Sequence, residues 1–315
     1  MRVLEDCLNG RRTVWEDPFK PGRKGIDGLA QRIEAHSPLA LVILMLGTND
    51  FQSMHPHNAW HSAQGVAALV NAIRQAPIEP GMVLVRVRRT AAGRVELTFR
   101  RGSQTVVRAH DAVVLTVPFP VLREVELDAS LELPAGKQRA IAELRYGTNA
   151  KLNVGFNGRF WGSLGGTGET YSDLPHHQST WEPNPSRATA RNAVLLDYSG
   201  GNRGASMNPA DPQGEAELWL GDLERIYPGA SGAATRLPGG LLRAHLQHWP
   251  SDPWSRGSYT ANHPGYFTTI AGLEAPPVGN LFFAGEHTDS FYEWQGFMEG
   301  AANSGLRAAQ EILRA

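Results

Sequence analysis

The chain has 315 residues, in which 30 lysines and arginines nearly balance 31 aspartates and glutamates, for a formal net charge of −1 at pH 7. This balance argues against a nucleic acid or an anionic membrane surface as a partner. The length allows one large domain or two ordinary ones. Cys7 is the single cysteine, which excludes an intrachain disulfide. Because the N-terminus also lacks a signal-peptide pattern, we expect a cytoplasmic protein.

The first part of the chain, residues 1–81, has the pattern of an α/β segment. Residues 39–46 form an apolar run that is too short to span a bilayer and is typical of a buried parallel strand. Residues 47–50 would form the loop at its end. A helix is predicted over residues 60–74 from apolar residues at helical spacing, and the prolines and glycine of residues 77–81 end it.

The pattern changes at Met82. Two strands with period-two alternation, residues 83–89 and 94–100, are separated by Ala92-Gly93, which predicts a hairpin. Residues 104–108 predict a third strand, and residues 112–118 predict a buried strand that ends at a proline. Strands and helices then alternate to the C-terminus. We therefore place a domain boundary near residue 81, between domains of residues 1–81 and 82–315.

Two short motifs mark the N-terminal segment: Leu-Asn-Gly-Arg at residues 8–11 and Leu-Gly-Thr-Asn-Asp at residues 46–50. Together they resemble the SGNH (GDSL-type) hydrolases, notably the arylesterase branch. The resemblance implies a fragment of a flavodoxin-like parallel sheet. It also implies that Gly10 and Asn49 are oxyanion-hole donors, which stabilise charge on a substrate carbonyl oxygen.

The catalytic blocks of that hydrolase family are not recognisable here. No Gly-Asp-Ser-Leu block stands before Gly10, and the one Asp-x-x-His match, residues 173–176, lies far outside the segment. Without a serine and a histidine, an oxyanion hole should not support acyl transfer. We therefore interpret residues 47–50 as a tight strand-to-helix loop.

A metal site is considered for His55, His57 and His61, because the last two stand one helical turn apart. No further ligand stands at a suitable spacing. We interpret them as solvated loop histidines and predict no metal.

The C-terminal residues 280–315 predict a strand, a loop and a helix. The apolar residues 281–284 end at Gly285, and small residues fill the first turns of the following helix. A helix start of this kind directs backbone N–H groups at a ligand, and small side chains let a flat group approach closely. The alternative is a packing helix with small residues at a helix crossing.

Residues 82–315 resemble the flavin-containing monoamine oxidase family almost end to end. Beside the C-terminal segment, the resemblance rests on motifs in the same order: Val-Pro at 117–118, Tyr-Gly-Thr-Asn-Ala-Lys-Leu at 146–152, His-Trp-Pro at 248–250 and Asp-Pro-Trp-Ser-Arg-Gly-Ser-Tyr at 252–259. It implies an α/β plus α+β fold class, with a partial FAD/NAD(P)-binding-like amine oxidase fold and mixed sheets.

The resemblance implies roles for three catalytic residues. Lys151 matches the lysine that holds a water near flavin N5, beside the edge where electrons arrive. Tyr259 and Phe297 match two aromatic walls that flank the substrate amine. Phe297 stands where the family commonly has tyrosine. The alternatives are a surface lysine at 151 and a core phenylalanine at 297.

The same resemblance implies a flavin-binding set. Trp249 and Trp294 match aromatic positions near the isoalloxazine, and Gly285 with Glu286 match the turn against the ribityl and pyrophosphate groups. Met298 would offer its backbone N–H to flavin O2, where the helix dipole favours negative charge.

Two departures from the family bear on the cofactor. Ser258 stands where some members carry the cysteine that bonds to the flavin, so we expect dissociable FAD. The Gly-x-Gly-x-x-Gly motif that binds the ADP half of FAD does not occur in the sequence, and residues 1–81 occupy its place. We expect weak or no FAD binding unless another segment or chain replaces that unit.

We predict an FAD-dependent amine oxidase-like enzyme that oxidises a C–N bond of a small-molecule amine and passes electrons to oxygen. The alternatives are an SGNH-type esterase fragment and a non-catalytic fusion remnant. Incomplete sheets expose strand edges, so we also expect homo-oligomerisation.

Overall fold

A computed structural model of the chain describes residues 13–15, 24–36, 68–69, 72, 82–183, 192–290 and 294–315. In chain order, the described strands are β1 (Met82–Arg89), β2 (Val95–Arg101), β3 (Gln104–His110), β4 (Val113–Leu115), β5 (Glu126–Leu127), β6 (Ala150–Phe156), β7 (Thr170–Tyr171), β8 (Ser179–Trp181), β9 (Ala193–Ser199), β10 (Ala244–His248) and β11 (Leu281–Phe283). The described helices are α1 (Leu29–His36), α2 (Phe119–Leu122), α3 (Ala135–Glu143), α4 (Phe160–Ser163), α5 (Gly201–Ser206), α6 (Pro212–Ile226), α7 (Ala230–Ala233), α8 (Tyr266–Thr269) and α9 (Met298–Arg314).

The chain divides into two compact units, one of Met1–Val83 with Arg100–Gln104 and one of Leu84–Phe99 with Thr105–Ala315. In the first unit, helix α1 follows Gly28, whose φ of +65° suits the turn that precedes it. Of the helix predicted over residues 60–74, the structure describes Ala68, Leu69 and Ala72, and all three are helical. The predicted strand at 39–46 and its loop lie outside the described residues.

The predicted hairpin is confirmed, and it belongs to a sheet with the strand order β3-β2-β1-β5. Its turn is closed by a hydrogen bond from Thr90 N to Arg94 O of 2.8 Å, and Gly93 takes a φ of +76°. Strand β5 pairs in parallel with β1, so that Arg86 stands opposite Glu126.

A first core surrounds the parallel pair of strands β4 and β11, in which Val113 stands opposite Leu281. Strand β4 is shorter than predicted because the chain turns at Pro118, which takes the N-cap position of α2. This core buries side chains from both strands and from helices α2, α3 and α8. Because β11 ends inside it, the turn at Gly285 starts from a rigid support.

A second core lies against an antiparallel sheet with the strand order β10-β6-β9-β8-β7. Strand β6 alternates in burial, with Leu152 and Val154 buried in this core and Lys151 and Asn153 partly exposed. Helix α6 covers the buried face with Trp219 and its neighbours. Successive residues of a strand point to opposite faces, so Lys151 lies on the face away from this core.

Helix α9 packs against β11 and the 3₁₀ turn Glu286–Thr288. It buries Gly300, Ser304 and Ala308, which are spaced as one helix face. Among the helices of the described residues, none has both the length and the hydropathy required to cross a bilayer.

Candidate active site

Lys151 lies on the sheet face that is turned away from the second core. In the antiparallel register it stands opposite Tyr198 of β9 and Gln247 of β10. Its Nζ atom is 5.7 Å from the centroid of the Tyr198 ring, within the range of a cation–π interaction. The lysine therefore does not extend freely into solvent but lies along an aromatic ring.

The Tyr198 hydroxyl joins this lysine to one of the predicted aromatic walls. Its oxygen lies 2.8 Å from the hydroxyl oxygen of Tyr259, and the Trp181 ring lies 5.6 Å from the Tyr198 ring. Burial, and then the hydrogen bond with Tyr259, raise the pKa of Tyr198 above its ordinary value. The phenol thus stays protonated at neutral pH and can act as a hydrogen-bond donor.

The motif at residues 146–152 carries Lys151 and also anchors Tyr259. Gly147 N donates to Tyr259 O at 2.7 Å, and Ser258 N donates to Gly147 O at 2.8 Å. A Cβ atom at position 147 would lie 2.6 Å from Ser258 Oγ, so only glycine allows this approach. Ser258 Oγ in turn donates to Asn149 Oδ1 at 2.6 Å.

Trp249 begins the 3₁₀ turn Trp249–Ser251, which directly follows β10. Its carbonyl oxygen accepts hydrogen bonds of 3.1 Å from Asp252 N and Gly257 N. The backbone of Trp249 thereby closes the loop that leads to Ser258 and Tyr259. The indole itself is partly exposed.

Gly285 makes a turn that no other residue could make without strain. Its φ is 122°, and a Cβ atom there would lie 2.6 Å from Cε1 of His287. Gly285 N donates to Ser304 Oγ of α9 at 2.9 Å. The turn at Gly285 is therefore packed closely against His287 and is joined to the last helix.

His287 lies buried next to this turn. Its Nδ1 atom is 3.2 Å from the Tyr146 hydroxyl, and its Nε2 atom is buried without a hydrogen-bond partner. Burial, followed by the positive charges of Lys137 and Arg307, lowers the pKa of His287 to about 3. The imidazole is therefore neutral at physiological pH and contributes no charge to the site.

Both carboxylate oxygens of Glu286 accept hydrogen bonds from other residues of the chain. Oε1 accepts from Thr260 N at 3.2 Å and from Thr260 Oγ1 at 3.1 Å, and Oε2 accepts from Gly296 N at 2.7 Å. The pKa of the neighbouring Tyr146 phenol is raised, first by burial and then by the negative charge of Glu286.

The start of α9 combines exposed apolar side chains with an uncapped helix end. Phe297 occupies the N-cap position and gives no side-chain hydrogen bond to the first turn. Met298 is 85% exposed, Phe297 57% and Trp294 41%, which is unusual for adjacent large apolar residues. The rings of Trp294 and Phe297 are perpendicular, with centroids 6.1 Å apart.

The structure links most of the predicted site residues. Backbone hydrogen bonds join Gly147, in the motif that carries Lys151, to Tyr259. Glu286 in turn accepts hydrogen bonds from Thr260, which follows Tyr259, and from Gly296, which precedes Phe297. Gly10 and Asn49 lie outside the described residues. The roles of the described set remain predictions.

Sequence reasoning missed Tyr198, Asn149 and Thr260. Tyr198 stands in the motif Tyr-Ser-Gly-Gly at residues 198–201, but its role depends on the strand register that places it opposite Lys151. Asn149 and Thr260 flank predicted site residues, so their positions next to Lys151 and Tyr259 were the available signal.

Within the ranges that the structure describes, no group of three or more His, Cys, Asp or Glu side chains could hold a metal ion. His55, His57 and His61 lie outside those ranges.

Comparison with known families gives one match over nearly the whole chain. The model of the flavin-containing amine oxidoreductase family matches residues 2–313. The match begins well before residue 82, where the resemblance was predicted to start. It lends no support to an SGNH-hydrolase fragment in the N-terminal segment.

Individual relatives are amine and amino-acid oxidases. Polyamine oxidase 3 from Oryza sativa is 30% identical over 225 residues, which are 69% of this chain and 42% of that protein. L-amino-acid oxidase from Naja atra is 26% identical over 225 residues, which are 71% of this chain and 42% of that protein. The chain thus spans less than half the length of these relatives.

Among solved structures, cyclohexylamine oxidase from Brevibacterium oxydans has the same fold. It superposes with a TM-score of 0.60 at 19% identity, over 80% of this chain and 52% of that one. The predicted mixed α/β fold with several sheets agrees with this similarity.

Proposed function

The chain belongs to the flavin-containing amine oxidoreductase family, and from this premise we propose that it is an FAD-dependent amine oxidase. It oxidises a C–N bond of a small-molecule amine and passes the electrons to oxygen. The observation that carries the proposal is the continuous set of contacts from Lys151 through Tyr198 to Tyr259 and on to Glu286. The alternative, in which α9 is only a packing helix, gives no reason for these contacts on the face of the sheet that carries Lys151.

Three features support a flavin beside the start of α9. The turn at Gly285 requires glycine, and its N–H is bonded to Ser304 of α9, so the turn lies directly beside this helix. The first turn of α9 has no side-chain cap, so its N–H groups are available to an acceptor. Trp294 and Met298 expose apolar surface that a flat ring would cover.

The residues that would hold the flavin are Gly285, Glu286, Trp249, Trp294 and Met298. When bound, the flavin supplies the acceptor of two electrons. The proposed attachment is non-covalent, because position 258 carries a serine whose hydroxyl is already donated to Asn149.

The chain's own residues bind and orient the amine. The rings of Tyr259 and Phe297 form two aromatic walls that favour a neutral amine over a hydrated cation. Lys151 holds a water by hydrogen bonds, with its position fixed by the Tyr198 ring. The compounds in the names of similar proteins, a polyamine, an L-amino acid, cyclohexylamine and putrescine, form the first panel of amines for this chain.

The experiment measures flavin content and peroxide release in the same sample. Purified protein is denatured, and the visible absorption of the released flavin is compared with the protein concentration. Peroxide release is then followed with putrescine, cyclohexylamine and L-leucine. We expect peroxide from at least one amine once FAD has been added in excess. Stoichiometric flavin without added FAD would mean that residues 1–81 or a partner chain replace the ADP-binding unit.

Two variants make the result specific. Lys151→Met should reduce peroxide release by about 100-fold if the lysine acts at the reacting edge. The control is Lys24→Met, at a partly exposed lysine that is ion-paired with Asp27, and it should not change peroxide release. A colourless protein that takes up no added FAD would contradict the proposal.

The other functions predicted from the sequence are tested with the same preparation. The residues predicted for an ester hydrolase, Gly10 and Asn49, lie outside the described ranges, so the described residues give no support to that function. An assay with p-nitrophenyl acetate decides that alternative, and a sample without either activity would support a non-catalytic remnant. The proposed homo-oligomer in the cytoplasm is tested by light scattering of the purified protein and by fractionation of cells.

A further inference from the structure

Glu286 is bonded to two chain segments that are distant in sequence. Oε1 accepts from the backbone N–H and the hydroxyl of Thr260, and Oε2 accepts from the backbone N–H of Gly296. Thr260 directly follows Tyr259, and Gly296 directly precedes Phe297. One carboxylate therefore holds the backbone beside both aromatic walls.

The two segments are also in direct proximity. A Cβ atom at position 296 would lie 3.6 Å from Thr260 O and 3.7 Å from the Tyr259 ring. Gly296 has a φ of 87°, a conformation that side-chain-bearing residues rarely adopt. Glycine adopts this conformation without strain, so the residue type at 296 suits the turn that directs its N–H at Glu286.

Other contacts hold each wall separately but do not join them. The Tyr259 segment is bonded to residues 145–147 by backbone hydrogen bonds. On the other side, Gln295 Nε2 donates to Tyr266 Oη at 2.8 Å and to His287 O at 3.1 Å. Among the described residues, Glu286 is the side chain that hydrogen-bonds to both segments. Hydrogen bonds to a charged acceptor are stronger than neutral ones.

We propose that Glu286 is a positioning residue that fixes the separation of Tyr259 and Phe297, and so sets which amines fit between them. This inference rests on the proposed function. It assigns the Glu286 side chain to the substrate slot, whereas the family resemblance implied only that the residue lies against the cofactor. With both oxygens engaged in this way, a change at Glu286 displaces the walls even though the side chain does not touch the amine.

Amide hydrogen exchange tests the hydrogen bonds from Thr260 and Gly296 to Glu286, and it needs neither flavin nor substrate. In the wild-type protein, the amides of Thr260 and Gly296 should both be protected, because each N–H is donated to the carboxylate. Glu286→Ala should accelerate exchange at both amides by about tenfold. Glu286→Gln keeps a single acceptor oxygen, so at least one of the two should accelerate. Unprotected amides in the wild-type protein would overturn the proposal even if a variant failed to fold.

Glu224→Gln is the matched control. Glu224 also accepts two backbone hydrogen bonds, from Gly229 N and Ser231 N at 2.7 Å each, but in the loop after α6. It should change exchange in that loop and leave Thr260 and Gly296 unaffected.

A second readout separates positioning from general stability. In FAD-loaded protein, Glu286→Gln should raise KM by about tenfold for the amine of the first panel that is oxidised fastest, while kcat changes less, and Glu224→Gln should change neither. Faster exchange with an unchanged KM would overturn the positioning role. A protein that binds no flavin and oxidises no amine contradicts the proposed function, but amide exchange still decides whether Glu286 joins the two segments.

Discussion

At the scale of single residues, the site depends on two glycines at positions where a side chain would collide with a neighbouring group. Gly147 and Gly285 each lie where a Cβ atom would collide with a neighbour, and both lie on backbone that carries predicted site residues. His287 is buried as a neutral imidazole between charged neighbours. Such features cost folding free energy, and they explain why these residue types occur here.

Gly147→Ala is expected to loosen the segment that carries Tyr259. The new methyl group would lie within 3 Å of Ser258 Oγ and Asn149 Oδ1, so the segment must shift, at about 1–3 kcal/mol of unfolding free energy. Urea unfolding measures this loss. Gly162→Ala is the control, because position 162 has no neighbour within 4 Å. Equal stability of the two variants would show that the close approach at Gly147 is not constrained.

His287 is expected to make the protein sensitive to acid. Its pKa is lowered from an ordinary 6.5 to about 3 in the folded chain, so between these values the unfolded chain binds a proton that the folded chain does not. The free energy of unfolding must therefore fall as pH falls from 6.5 towards 3.

Urea unfolding at pH 7 and pH 4 tests this in the wild type, in His287→Gln and in the exposed control His245→Gln. The fall in stability between the two pH values should be smaller in His287→Gln alone. An identical fall in all three proteins would contradict a neutral, buried His287.

At the scale of elements, the local sequence predicted strands and turns better than their partners. The hairpin around Ala92-Gly93, the strand at Leu281–Phe283 and the start of α9 at Met298 all follow from alternation, glycine and small residues. The order β10-β6-β9-β8-β7 could not be predicted, because the pairings of β6 with β9 and with β10 join segments separated by long stretches of chain. Tyr198 was not predicted as a site residue for this reason, since only the strand register places it opposite Lys151.

Tyr198→Phe tests whether the Tyr198 hydroxyl positions the Tyr259 ring. Loss of the hydroxyl removes the 2.8 Å contact with the Tyr259 hydroxyl and leaves that ring less constrained. We expect kcat/KM for an amine to fall by about two- to tenfold, the range for one hydrogen bond. Tyr171→Phe, at a ring that is 80% exposed, should have no effect. An unchanged kcat/KM in Tyr198→Phe would show that the hydroxyl pair does not position Tyr259.

At the scale of the whole molecule, the family match over residues 2–313 changes the interpretation of the N-terminal segment. Short motifs such as Leu-Gly-Thr-Asn-Asp resemble an unrelated family because few residues carry them, whereas the C-terminal resemblance rests on many motifs in order. The residues of the proposed site lie between positions 146 and 298, within the unit of Leu84–Phe99 and Thr105–Ala315. This one unit contains the sheet face that carries Lys151, the turn at Gly285 and the uncapped start of α9.

The most direct test of the account is anaerobic reduction of the bound flavin by an amine, followed by visible absorption. We predict that putrescine, cyclohexylamine or L-leucine bleaches the flavin in the wild-type protein, and that admission of oxygen restores the colour with release of peroxide. Lys151→Met should bleach and recover much more slowly. A flavin that no amine bleaches, or a protein that binds none, would contradict the assignment of this site to amine oxidation.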